Sequence, residues 1–459
     1  NMNAHTANAV LNAYGKMTRF MTSNITGRNI IWSIFSNMPR DIQTAYTYFD
    51  GYNPLPLIKG IGSAYLNSFR HAAGKSVAPY FSEYLSMGGG GAGVWQGQES
   101  YVSDMRKKLN TVNPKSFNMF ESIAFVSDTI EMGPRFAMYV HLREHGRNQQ
   151  QAFYEAMDLT VNFRRHGTVS RDINKVSQFF NASVQGVDKS VRFFTGEDIK
   201  GTNPKQRAMA VKKRVGMYIA ISAALAAMNY AINNTDDENK KYYQVLSSYT
   251  KNSYFLIPLN GKGEYFAIPK ARELSVLTSM FERILEYSSG GNKHAFDDFY
   301  SYWGENCLPN IISEFVQFPF RIADNGLNQA IEDTVAGVLG SLGIIGVFAE
   351  SMANRDFLGR PIVSNTYKER MPKDQYDART SEFAYLLGNA LNISPKKIDH
   401  MADNTLGVMW EVPAAVLPID DGKGTKGERD WTVGIKNKYR KSAAYSNDIS
   451  NWIYDERSK

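Results

Sequence analysis

The residues whose types and spacing come nearest to chemistry are His141-Leu-Arg-Glu144-His145. On a helix, His141 and His145 lie one turn apart on one face and can share a zinc ion, with Glu144 as general base. Such a site needs a third ligand, and Glu155 is the nearest downstream carboxylate. The same pattern also reads as a helix C-terminus: cationic imidazoles suit the macrodipole there, and Gly146 ends the helix. The capping reading is the stronger one. No metal, no cofactor and no small-molecule substrate are therefore expected, with a zinc-dependent hydrolase kept as the alternative. Other signals are weaker. Asp297 and Asp298 are adjacent, so on a helix they diverge. No G-x-S-x-G elbow is present, and no dinucleotide fingerprint follows a strand. Residues 88–93 (GGGGAG) lack the Gly-Lys-Ser/Thr ending that would put a lysine and a hydroxyl on phosphates, and read as a hinge. The single cysteine, Cys307, excludes an internal disulfide framework and a four-cysteine metal site, and reads as a small buried residue.

Charge is the more informative feature. The 459-residue chain carries a net +7, yet residues 164–214 alone hold twelve Lys/Arg against four Asp/Glu, a net +8. The rest of the chain sums to about −1 by the same count. This basic run ends in Lys212-Lys213-Arg214 and passes directly into the apolar stretch 215–232 (VGMYIAISAALAAMNYAI), after which Asp236-Asp237-Glu238 follows. Basic residues before a helix and acidic residues after it oppose the macrodipole preference. A soluble helix gains nothing from that order, whereas the basic end of a membrane-seeking helix can hold anionic headgroups. Lys212, Lys213 and Arg214 are thus the candidate phosphate or headgroup contacts. Gly216, Ala220, Ala224, Ala227 and Ala231 form a small-residue stripe suited to close helix packing, in a bilayer or in a soluble core. Burial as a central bundle helix is the preferred reading, since the stretch sits at the short end of spanning length. A second apolar run, 335–349, has Gly337, Gly340, Gly343 and Gly346 at every third position. As a helix it would be costly, at roughly 1 kcal/mol per glycine against alanine, so it needs tight tertiary contact or a membrane. Phe179, Phe180, Phe193 and Phe194 interleave the basic run, and a core role for them outweighs base stacking.

These features must be carried by helices. With 43% hydrophobic residues, 26 Tyr and 26 Phe, the chain can bury a sizeable core. Helical periodicity marks 6–23, 29–49 with a break at Met38-Pro39, 57–85, 116–145 as a pair jointed at Gly133-Pro134, 149–165, 174–194, 271–287, 311–318, 327–339 and 380–391. Ser394-Pro395 gives a strong start signal for a further helix. Alternation in 254–268, interrupted by Asn260-Gly261, predicts one β-hairpin. The fold class is mainly α, a multi-helix body, compact or elongated, with that hairpin. The expected organisation is an N-terminal helical region (1–87), a glycine-rich linker (88–98), a central helical domain (99–350), a C-terminal helical lobe (351–420) and a polar tail (421–459) that wraps a surface or binds a partner.

Three places together resemble a known family. They are Asn37-Met-Pro-Arg40-Asp41; residues 160–167 (TVNFRRHG) with Asn174, 179–182 (FFNA) and Gln185-Gly186; and 354–362 (NRDFLGRPI) with Thr380-Ser-Glu382, Gly388 and 394–400 (SPKKIDH). With the hairpin ending Ile268-Pro269-Lys270, they resemble the large polyvalent protein associated domains of tailed bacteriophages, over roughly residues 25–410. The resemblance implies an α-helical virion protein, in the capsid interior or at the portal or tail, ejected with the genome into the host envelope. It implies no enzymatic activity for this region and no catalytic residue to carry over. The chain begins Asn1-Met2, as expected for a piece of a longer polyprotein. Implied partners are other virion proteins or further copies of the chain, with phage DNA and the host membrane as further candidates. A scaffold that tethers an enzymatic module in the capsid is a second alternative.

Overall fold

A computed structural model of the chain describes residues 9–22, 29–49, 53–89, 119–160, 180–197, 203–290 save 262, 342–356, 361–377, 380–407 and 439–442, with isolated positions between them. The architecture is mainly α, as expected, with one small antiparallel sheet. The chain forms two compact units, each assembled from separated segments. One comprises Asn1–Trp32, Arg164–Ser183 and Leu308–Lys436; the other comprises Ser33–Phe163, Val184–Cys307 and Asn437–Lys459.

The larger unit is built around helix Met119–Glu144. The sequence reading placed a joint at Gly133-Pro134, but the helix runs straight through Pro134. The reason is tertiary. A Cβ on Gly133 would lie 2.8 Å from the Tyr65 ring and 3.3 Å from Ile61, and one on Gly60 would lie 2.5 Å from Ala137. Helix Pro54–Ala72 therefore presses its backbone onto this helix at glycine positions, and the packing outweighs the hydrogen bond lost at proline. Around the contact Phe81, Tyr84, Phe136 and Tyr139 are fully buried and meet edge-on or tilted, with Tyr84 5.5 Å from Phe136 and 5.2 Å from Tyr139 between centroids.

Proline and glycine set the other boundaries. Residues 57–85 form two helices, Pro54–Ala72 and Pro79–Ser86; Gly74, at φ +69°, ends the first and Pro79 opens the second. The expected break at Met38-Pro39 is a π-helical stretch, Ser33–Asn37, that continues into helix Met38–Tyr48. Pro39 cannot donate to Phe35 and crowds its carbonyl, and widening the preceding turn relieves both. In the smaller unit, 335–349 is not one glycine-striped helix. Gly343, at φ +61°, precedes helix Ile344–Ala353, so that glycine serves as a boundary. Gly337, Gly340, most of 311–339, residues 90–98 and Cys307 lie outside the described residues.

The hairpin is β1, Tyr254–Pro258, and β2, Glu264–Pro269, in register from Tyr254↔Pro269 to Pro258↔Tyr265. Gly261 and Gly263 take positive φ in its loop. The polar tail, expected to wrap a surface or bind a partner, adds a third strand, β3, Arg440–Ser442, antiparallel to β2.

Two measurements test this account. Gly60→Val should destabilise the chain by about 1–3 kcal/mol in denaturant unfolding, because Ala137 blocks the added side chain. Gly62→Ala, on the same helix with nothing near its Cβ, should stabilise it by up to about 1 kcal/mol. Glu83 accepts from Arg143 Nε at 2.6 Å and from the Tyr139 hydroxyl. Burial pushes its carboxyl upward, but these donors outweigh burial and hold it below the usual carboxylate range. Its contribution is therefore present above the unfolded-state pKa and lost as pH falls through the lower folded value. Thermal melts from about pH 5 downward should show that loss in the native chain and a flatter acid limb in Glu83→Gln.

Candidate functional site

The basic and apolar segments singled out from the sequence converge on one helix, Pro204–Asn233. Asn203 caps it through Gln206 N at 2.8 Å, and the Gln206 side chain accepts from Asn203 N to complete a capping box, with Pro204 at the first position. Its two long faces are unlike. Tyr218, Ser222, Ala226, Asn229 and Asn233 point inward and are buried. Gly216, Ala220, Ala224, Ala227 and Ala231 all lie on the exposed side, with Met209 66% and Met228 53% exposed beside them. The preferred expectation of a buried central helix is thus met on one side only.

The inward face is held by amides. Asn229 Oδ1 accepts from Leu256 N at 2.8 Å, and Asn233 Nδ2 donates to Leu256 O at 2.8 Å. One turn of helix thereby supplies both hydrogen bonds that a neighbouring strand would give β1. Asn229 Nδ2 also donates to Glu282 Oε1 at 2.9 Å, on helix Arg272–Gly290. Glu282 Oε2 accepts from Lys270 Nζ at 2.6 Å, and both side chains are fully buried. Lys270 donates further to Lys251 O at 3.0 Å, and Arg283 pairs with Glu286 at 2.8 Å. Burial drives Lys270 below the ordinary amine range and Glu282 above the ordinary carboxylate range, each opposed by the other. Burial, with Glu282 nearby, also drives the Tyr243 hydroxyl well above the usual phenol range. Across the sheet, Gln43 Nε2 donates to Pro269 O and its Oε1 accepts from Ala271 N, both at 2.9 Å. Sequence reading missed this cluster. Its one local signal was the pair of asparagines, four residues apart, inside an apolar run.

The basic triplet divides. Arg214 turns inward, donating to Phe193 O and stacking on the Phe193 ring at 4.4 Å. Phe193 is itself buried with Tyr218, Ala271 and Leu274, the core role expected of it, while Phe194 is half exposed. Lys212 and Lys213 are exposed. The acidic cluster has a local cause: Asp236 caps helix Asp237–Gln244 through Asn239 N at 2.7 Å, and Asp237 and Glu238 occupy its first turn, where the macrodipole favours them.

His141 and His145 do stack on one face, with ring centroids 4.2 Å apart. His145 Nδ1 lies 2.7 Å from His141 O, and Gly146 takes φ +82° directly after, the geometry of a helix end. Glu155, the suggested third ligand, is 3.8 Å from Arg147. Among the described residues, no three His, Cys, Asp or Glu side chains gather as a metal would require.

The fold is mainly helical with one small antiparallel sheet. Residues 240–433 match the family described as large polyvalent protein associated domain 38. The match covers the third group of motif residues and the hairpin, and leaves the motifs at 37–41 and 160–186 outside it. No curated protein and no solved structure matches the chain. The motif residues inside the match do structural work. Asn354, at φ +56°, closes the loop to Val363 through both atoms of its amide, at 2.8 and 2.9 Å. Gly388 lies where a Cβ would meet Pro395 Cγ at 2.5 Å. Asp399 accepts from Ser381 N and Oγ and from Trp410 Nε1, and His400 Nε2 lies 2.7 Å from Glu350.

Removing one partner of the buried pair should cost more than removing both. Lys270→Met is expected to destabilise the chain by about 3–5 kcal/mol, and Lys270→Met with Glu282→Leu by much less, in denaturant unfolding.

Proposed function

We propose that the chain is a non-enzymatic, virion-associated phage protein that travels with the genome and has a structural role in delivering DNA across the host envelope. The match of residues 240–433 to a phage-associated large polyvalent protein domain carries this reading. The bonding of several polar side chains supports it. Asn229, Asn233, Gln43, Asn354 and Asp399 each spend their hydrogen bonds on backbone or neighbouring side chains that fix the fold. Exposed Lys212 and Lys213, in the third turn of helix Pro204–Asn233, suit contact with phosphates of DNA or with acidic partner proteins.

Purified particles of the encoding phage should contain peptides of 1–459 by mass spectrometry, and these should pass from particle to cell with the DNA after adsorption. Absence from the particle, or retention in the emptied particle, would overturn the delivery reading. Zinc at near-stoichiometric level in the purified chain would overturn the non-enzymatic part.

A further inference from the structure

We propose that the outward face of helix Pro204–Asn233 packs antiparallel against the same face of a second copy of this chain, about a two-fold axis beside Ala224.

The face is defined by spacing and exposure together. Lys213, Met217, Ala220, Ala224, Ala227 and Ala231 recur at alternating four- and three-residue intervals, and all are exposed. That interval is the seam of a helix that meets another helix along its length. The opposite face is already committed, through Tyr218, Asn229 and Asn233, to the protein's own core. Small residues on the seam let two backbones come close. Two small-residue pairs are related when the helix is turned end for end about the 223–224 midpoint: Ala220 with Ala227 on the seam, and Gly216, beside the seam, with Ala231. A two-fold contact requires this self-complementarity.

Charge selects the direction. In a parallel pair, Lys212 and Lys213 of one copy would face their own counterparts. In an antiparallel pair they approach Asp237 and Glu238 of the other copy, which lie about as far from the midpoint on the opposite side and are exposed. The lysines within the long helix and the acids that open the next one thus acquire a purpose across the axis.

A bilayer is the rival occupant. The helix is long and apolar enough to cross one. Its packed neighbour, however, is helix Arg272–Gly290 with Glu282, Arg283 and Glu286, and Asn229 is bonded to Glu282. Insertion would carry those charges into hydrocarbon or tear the cluster apart, and both are costly.

Sedimentation velocity on the full chain across a concentration series tests the proposal. A reversible dimer is expected. Ala224→Arg should abolish it while leaving the thermal melt of the monomer unchanged, since Ala224 is exposed. Lys212→Glu with Lys213→Glu should weaken the dimer at least tenfold, and adding Asp237→Lys with Glu238→Lys should restore it. Orientation is read by oxidation in a Cys307→Ser background. Ala224→Cys should cross-link the two copies. Gly216→Cys should not, because antiparallel packing separates the two positions by about 22 Å along the axis. Cross-linking at both positions would mean a parallel pair and overturn the proposal. So would a chain that stays monomeric at all concentrations, including one that instead floats with phosphatidylglycerol vesicles and loses this on Ala224→Arg.

Discussion

The larger unit depends on keeping one charged pair dry. Lys270 and Glu282 are both fully buried, and two charges removed from water repay their desolvation only when the remaining donors and acceptors are also matched. The surroundings meet that demand from four directions. Asn229 reaches Glu282 from the long helix, the Lys251 carbonyl takes a second proton of Lys270, and Ser279 lies beside the amine at 3.5 Å. Arg283, on the same helix as Glu282, adds positive charge 3.8 Å from the carboxylate. Lys270 sits where β2 hands over to helix Arg272–Gly290, and Asn229 sits where the long helix crosses β1. The pair consequently fixes the hairpin, the long helix and the following helix in one register. Loss of any one contact exposes the others to an unbalanced buried charge, so this part of the unit is set to hold together or fail together.

Much of this was legible in the sequence, and the illegible parts share a cause. The hairpin at 254–268 announced itself through alternation and Asn260-Gly261, which are local signals. Helix existence was equally local. The facing of the long helix was not, because alanine and isoleucine are spread around its whole circumference and give no apolar side. What selects the inward face is Asn229 and Asn233, and their partners Leu256 and Glu282 lie far along the chain. Pro134 misled for the same reason: a proline reads as a joint until Gly133, Gly60 and the helix pressed against them are seen together. The acidic cluster, in contrast, was anomalous only while assigned to the helix before it. Assigned to the helix after it, Asp236 is a cap and its neighbours are first-turn acids.

The motifs behind the family resemblance illustrate a related limit. Asn354 closes a loop from a left-handed position, Gly388 makes room for Pro395, and Asp399 gathers Ser381 and Trp410. Each is a residue type that the backbone geometry demands. Residues of this sort identify a domain well, because few others can replace them. For the same reason they say little about what the domain does, and activity has to be argued from surfaces that the fold leaves unspent.

The long helix is such a surface, and its composition explains why. A helix of small side chains gains little from burial, at about 0.8 kcal/mol per buried methylene, so apolar packing alone would hold it weakly and without a defined rotation. Asparagine amides supply the rotation instead, by bonding a strand edge and a buried carboxylate in directions that permit one register. On the outer face the alanines present little apolar area to water, while Met209, Met217 and Met228 stand exposed beside them. An alanine face tolerates solvent and favours partners whose backbone can approach closely along its length, so the residues that make the inward face need amides also make the outward face selective.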